Sequence, residues 1–128
     1  MNAMRAMQQY QRVSVQSEVF EASPHRLIQM LMQGGLERIA QARGAIERKS
    51  ISEKGELIGK AISIIGGLRE PLDHQVGGEL SQNLDSLYEY MTLRLIEANR
   101  ESDIAKLDEV SGLLREVKSA WDAIAPAA

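Results

Sequence analysis

The stretch SPHRLIQMLMQGGLERIAQARGAI, residues 23–46, decides the fold. Its apolar and small residues Ile28, Met32, Gly35, Ile39, Ala42 and Ile46 step 4-3-4-3-4, the spacing that lines one face of an α-helix. Ser23-Pro24 supplies the start: the hydroxyl can cap free backbone N–H groups, and proline suits the first helical position. Working outward, Ser50 and Glu53 have capping-box spacing, predicting a second helix with the stripe Leu57, Ala61, Ile64, Ile65 and Leu68, ending near Pro71. The segment PLDHQVGG, residues 71–78, reads as a loop. A third helix is predicted over 79–99, with Leu80, Leu84, Leu87, Met91, Leu95 and Ala98 in line. Ser102 or Asp103 can cap a fourth, whose stripe is Leu107, Val110, Leu114, Val117, Trp121 and Ile124.

Four amphipathic segments, each about 30–37 Å long, joined by short connections must lie as antiparallel neighbours. The expected fold is therefore all-α, an antiparallel up-down four-helix bundle over residues 23–125, preceded by a short N-terminal helix or cap segment. Residues 1–22 stand apart as a mobile cap: residues 1–9 suit a short Met- and Ala-rich helix, while Val13, Val15, Val19 and Phe20 carry the apolar content of a loop.

The composition narrows function mainly by exclusion. The 128 residues suffice for one domain, and 44% of them are apolar. A net charge of −3 argues against general nucleic-acid binding. The absence of cysteine removes disulfides, thiolate metal sites and thiol nucleophiles, and fits a reducing compartment. No apolar run approaches the roughly 20 residues of a membrane span, so the expectation is a soluble, cytoplasmic domain without membrane insertion. The two histidines, His25 in a first turn and His74 in the loop, make neither a di-iron pair nor a phosphotransfer surface. No nucleophile elbow or phosphate-cradling loop occurs, so no catalytic residue, metal or cofactor is nominated.

What is left over points to binding. Gly34, Gly35, Gly44, Gly55, Gly59, Gly66, Gly67 and Gly112 fall inside predicted helices, at a cost of about 1 kcal/mol each relative to alanine. They read either as close helix crossings or as a shallow groove along the first two helices that receives a partner helix. Surplus apolar residues tell a similar story: Leu27, Met30, Leu31 and Ala45 widen the first helix's face, and Tyr90, Leu93 and Ile96 lie off the third helix's stripe. Such surplus is either covered by residues 1–22 or exposed as a protein-binding surface. A self-associating bundle, in which that face closes a homodimer, is the rival reading from a different class.

Several phrases, in order, resemble the FliS flagellar secretion chaperones. They are Tyr10; Ala22-Ser23-Pro24 with Leu27, Met30-Leu31 and Gly34; Lys54-Gly55-Glu56; Lys60-Ala61 with Ile64-Ile65 and Leu68. Gly77-Gly78-Glu79, Asn83-Leu84, Leu87-Tyr88-Glu89-Tyr90-Met91, Arg94-Leu95, Ala98-Asn99 and Trp121 continue the likeness, which spans residues 10–121. Two departures stand out: Met30-Leu31-Met32-Gln33-Gly34 replaces the family's Met-Leu-Tyr-Asp-Gly, and Glu21-Ala22-Ser23-Pro24 its Thr-Ala-Ser-Pro.

The resemblance implies an export chaperone that binds the disordered C-terminal segment of flagellin in the cytoplasm. It prevents premature polymerisation and helps deliver the subunit to the flagellar type III export apparatus, without enzymatic activity or cofactor. The export apparatus and other flagellar regulatory proteins join the expected partners, and the expected state is a monomer or weak homodimer. The groove residues expected are Leu27, Met30, Leu31 and Gly34 with Ile58, Ile62 and Ile65 on the second helix, and Tyr90 and Leu93 on the third. Tyr10, with Val13 and Val15, is expected to lie over part of the bundle and shift when flagellin binds.

Overall fold

The computed structural model describes residues 22–72 and 74–124, the side chains of residues 74–76 excepted. The short helix expected at 1–9 and the roles expected of Tyr10, Val13 and Val15 lie outside the described residues. Among the described residues there are four helices: α1 (Pro24–Glu47), α2 (Ile51–Arg69), α3 (His74–Glu101) and α4 (Ile104–Ala123). Each packs on its chain neighbour, and α4 closes the ring on α1. Cross-helix pairs fix the directions: Arg43 near the end of α1 reaches Asp108 at the start of α4, and Arg69 at the end of α2 reaches Asp85 early in α3. This is the expected antiparallel up-down bundle.

The core is the meeting of four inward stripes. Met32, Ile39 and Ala42 of α1 pack with Ile58, Ala61, Ile65 and Leu68 of α2. Tyr88, Met91, Leu95 and Ala98 of α3 and Leu107, Val110 and Leu114 of α4 complete it. Ser23 caps α1 as predicted, its Oγ accepting from the Arg26 N–H at 3.1 Å, and Asp103 does the same for α4 through the Lys106 N–H. Gly35 is a true close crossing: a Cβ there would sit 3.1 Å from Leu114 Cδ2 and 3.4 Å from Ile64 Cγ2.

Four local expectations are corrected. Ser50 precedes α2, but its side chain makes no capping bond, and the reciprocal half of the box is absent too: Glu53 pairs with Arg48 at 3.2 Å, and the Ser50 N–H donates to the Ala45 carbonyl. The inward stripe of α2 runs Lys54, Ile58, Ala61, Ile65 and Leu68, with Leu57 only half-buried; its apolar arc is broad enough that sequence spacing alone misplaces its centre. The 71–78 loop is shorter than read: helix resumes at His74 and breaks at Gly78, whose φ of 56° and ψ of −129° only glycine adopts readily. That break restarts α3 outside the core, leaving Leu80 69% exposed; at the same end of the bundle α4 stops at Ala123, leaving Ile124 57% exposed.

The two ends of the bundle differ. At one, the α1–α2 and α3–α4 turns are tight. Lys49 (φ 59°) and Ser102 (φ 51°) take left-handed conformations, and the following N–H groups of Ser50 and Asp103 reach back to the carbonyls of Ala45 and Ala98. Lys54, only 7% exposed, donates from Nζ to the Asn99 carbonyl at 2.8 Å and to Ser102 Oγ at 2.7 Å, tying α2 to the α3–α4 corner. At the other end the helices splay.

Candidate functional site

Where the helices splay they leave an open groove of about 750 Å³. The first turn of α1 supplies Pro24, His25 and Ile28, the end of α2 Leu68, and the start of α3 Leu80 and Leu84; Val117, Trp121 and Ile124 come from the end of α4. Met32 and Tyr88 form the floor, and Glu116 is the one acidic side chain of the lining among the described residues. Burial pushes the Tyr88 phenol above its ordinary pKa, because desolvation disfavours the charged phenolate.

A polar rim holds the mouth in shape. The Trp121 indole stacks on His25 with ring centres 4.7 Å apart, and its Nε1–H donates to the His25 carbonyl at 3.0 Å. Asp122 accepts from Lys118 Nζ at 2.7 Å and from Gln29 Nε2 at 2.9 Å, bracing α4 against α1. The Lys118 bond, chiefly, holds the Asp122 carboxyl below the usual carboxylate range. An apolar concavity with a few fixed polar groups at its edge accepts an apolar side of a folded or folding partner.

The predicted binding residues fall elsewhere, in separate places. Ile58 and Ile65 are 1% and 0% exposed and belong to the core, so they offer a partner no surface. Leu27, Met30, Leu31 and Gly34 are half-buried along α1, with Leu31 Cδ1 over Gly67 and Gly34 beside Ile64 of α2. Ile62, also half-buried, lies about 160° around α2 from Ile64 and so on the other flank of that helix. Tyr90 and Leu93 are exposed on the outside of α3, where Tyr90 donates to Glu109 Oε2 at 2.6 Å. Sequence reading missed the splayed-end groove because its residues continue the core stripes; Ile28, Leu80 and Ile124, the terminal members of three stripes, were the available signal.

Among the described residues no group of three or more His, Asp or Glu side chains is gathered to hold a metal ion. No helix there is long and apolar enough to cross a membrane.

Comparison with known proteins agrees with this architecture and with the phrases of sequence. The family model described as flagellar protein FliS matches residues 6–128. The chain belongs to the FliS family. A flagellar secretion chaperone FliSB of Pseudomonas aeruginosa is 68% identical over 124 residues, covering 97% of this chain and 98% of the relative. The FliS flagellar secretion chaperones of Vibrio cholerae and Salmonella typhimurium are each 45% identical, over 121 and 120 residues, covering 94% and 93% of this chain and 89% of each relative. Within the FliS frame, the departure at Met32 lies in the core and groove floor, whereas Gln33 is exposed and donates to Glu37. The first therefore alters packing beneath the groove, and the second leaves the apolar lining untouched.

Proposed function

We propose that this FliS-family chain is a cytoplasmic, non-enzymatic chaperone for the C-terminal segment of flagellin. It keeps that segment from polymerising and presents it to the flagellar type III export apparatus. The observation that carries this reading is the splayed-end groove: four helices contribute an apolar lining that a globular bundle with no partner would close. An amphipathic segment, disordered alone, gains helix as it lays its apolar side there, and its ordering cost offsets part of the contact energy. Pro24, the residue from which α1 begins, lines the groove's edge, and this reading includes a cap role for the segment before it, residues 1–22, with Tyr10, Val13 and Val15 as its contact residues.

The test is calorimetric titration of the full chain with a flagellin C-terminal peptide, followed by circular dichroism and by Trp121 emission. Stoichiometric binding, a negative heat-capacity change, gained helix and shifted emission are expected. Binding without any change at Trp121 places the client away from the groove; no binding at tens of micromolar overturns the flagellin assignment.

A further inference from the structure

Two polar groups of the groove are left unused by the bundle itself. Tyr88, on the floor, is only 3% exposed, yet among the described residues its hydroxyl has no hydrogen-bond partner. No side-chain oxygen there is both sealed from solvent and unpaired, so the hydroxyl keeps some accessible surface, and the space Tyr88 borders is the groove. Burial holds the phenol in its protonated form, so a docking partner meets it as a donor. Glu116, on the α4 wall, makes no ion pair or hydrogen bond among the described residues. The other polar groups of the rim are already spent: Asp122 on Lys118 and Gln29, and the Trp121 N–H on the His25 carbonyl.

A partner with a wholly apolar side would strip water from the Tyr88 hydroxyl and give nothing back, leaving a buried donor unpaired. A partner with one acceptor at that place turns the same group into a hydrogen bond shielded from water. At the edge, a covered Glu116 carboxylate is best matched by a cation. We propose that the groove selects amphipathic segments by two polar marks: a hydrogen-bond acceptor within the apolar side, which takes the Tyr88 O–H, and a lysine or arginine at its border, which faces Glu116. This selection rests on the groove being the client site. It lets a wide apolar concavity discriminate against apolar helices that lack the marks, so Tyr88 determines specificity as well as filling the core.

Calorimetric titration of the full chain and its Tyr88→Phe and Glu116→Gln variants tests this with two kinds of probe. One is the flagellin C-terminal peptide. The other is a pair of synthetic amphipathic helices bordered by lysine, differing only in glutamine or methionine at the centre of the apolar side. In Tyr88→Phe the preference for the glutamine helix over the methionine helix is expected to fall about tenfold, and the flagellin peptide to weaken by a similar factor. Glu116→Gln is expected to weaken the lysine-bordered helices about threefold at low salt, an effect that fades as salt is added. Because the hydroxyl is unpaired in the free chain, the thermal melt of Tyr88→Phe should be unchanged or raised, which separates lost binding from lost folding. An unchanged preference in Tyr88→Phe overturns the proposal. So do equal or tighter flagellin-peptide binding by that variant, Glu116→Gln indistinguishable from wild type at low salt, and failure of both synthetic helices to bind. A flagellin peptide that does not bind, while the preference still shifts, removes flagellin as the client and leaves the groove's selection standing.

Discussion

Trp121 and His25, ninety-six positions apart in the chain, are joined twice: their rings stack at 4.7 Å and the indole N–H donates to the His25 carbonyl. The end of the last helix is thereby pinned to the first turn of the first. Trp121→Ala removes both contacts and part of the groove wall, and is expected to cost about 2–3 kcal/mol, below the full-burial range because the ring is half-exposed. Trp121→Phe keeps the stacking but not the hydrogen bond and should cost about 1 kcal/mol. Urea denaturation of both variants checks the ratio.

Lys49 and Ser102 hold equivalent left-handed positions in the two tight turns, with different consequences. Lys49→Gly relieves the backbone penalty and is expected to stabilise by about 1 kcal/mol. Ser102→Gly relieves the same penalty but leaves Lys54 Nζ, a buried cation, without one of its two acceptors, and should give no gain. Thermal melts of the pair separate the effects.

Helical glycines divide by what surrounds them. A Cβ at Gly59 meets nothing within 4 Å, so Gly59→Ala is expected to stabilise by about 1 kcal/mol. At Gly35 the added methyl presses on Leu114 and Ile64, so Gly35→Ala is expected to lose that gain. If Gly59→Ala also weakens the client, the outer α1–α2 seam is part of the binding surface.

Acid sensitivity follows from three carboxylates held below their ordinary pKa: Glu97 chiefly by the Lys106 ammonium, Glu109 by the Tyr90 hydroxyl and Arg94, and Asp122 by Lys118. The folded state binds protons less readily than the unfolded chain at these sites. Their contribution is therefore present above the unfolded carboxylate range, about pH 4, and is lost as pH falls through the lower folded values. The denaturant midpoint should drop on acidification from neutral pH, and Glu109→Gln should flatten the low-pH part of that profile.

Spacing made the helices legible because burial imposes one period on all of them; Ile39, Met91, Leu95, Leu107 and Val110 went to the core as read. It could not rank residues within a wide apolar arc. Leu57 and Ile58 are adjacent on α2, and only contact with the other helices decides that Ile58 faces inward. The surplus on α3 was legible as surplus, since Tyr90, Leu93 and Ile96 are indeed exposed. The groove was not, because nothing in a stripe says where neighbouring helices diverge. That depends on the Gly78 break and on where α4 ends.

The contrast between the bundle's ends gives it a mechanical polarity. Both tight turns and the Lys54 tie lie at one end, while the α2–α3 connection and the groove lie at the other. The bundle is thus tweezers sprung at the handle, with the tied α1–α4 pair as one jaw and the tied α2–α3 pair as the other: the jaws can part to admit guests of different girth while the sealed end keeps register. Amide exchange slowing steadily from tips to handle is the signature of such a tool, which yields locally instead of melting.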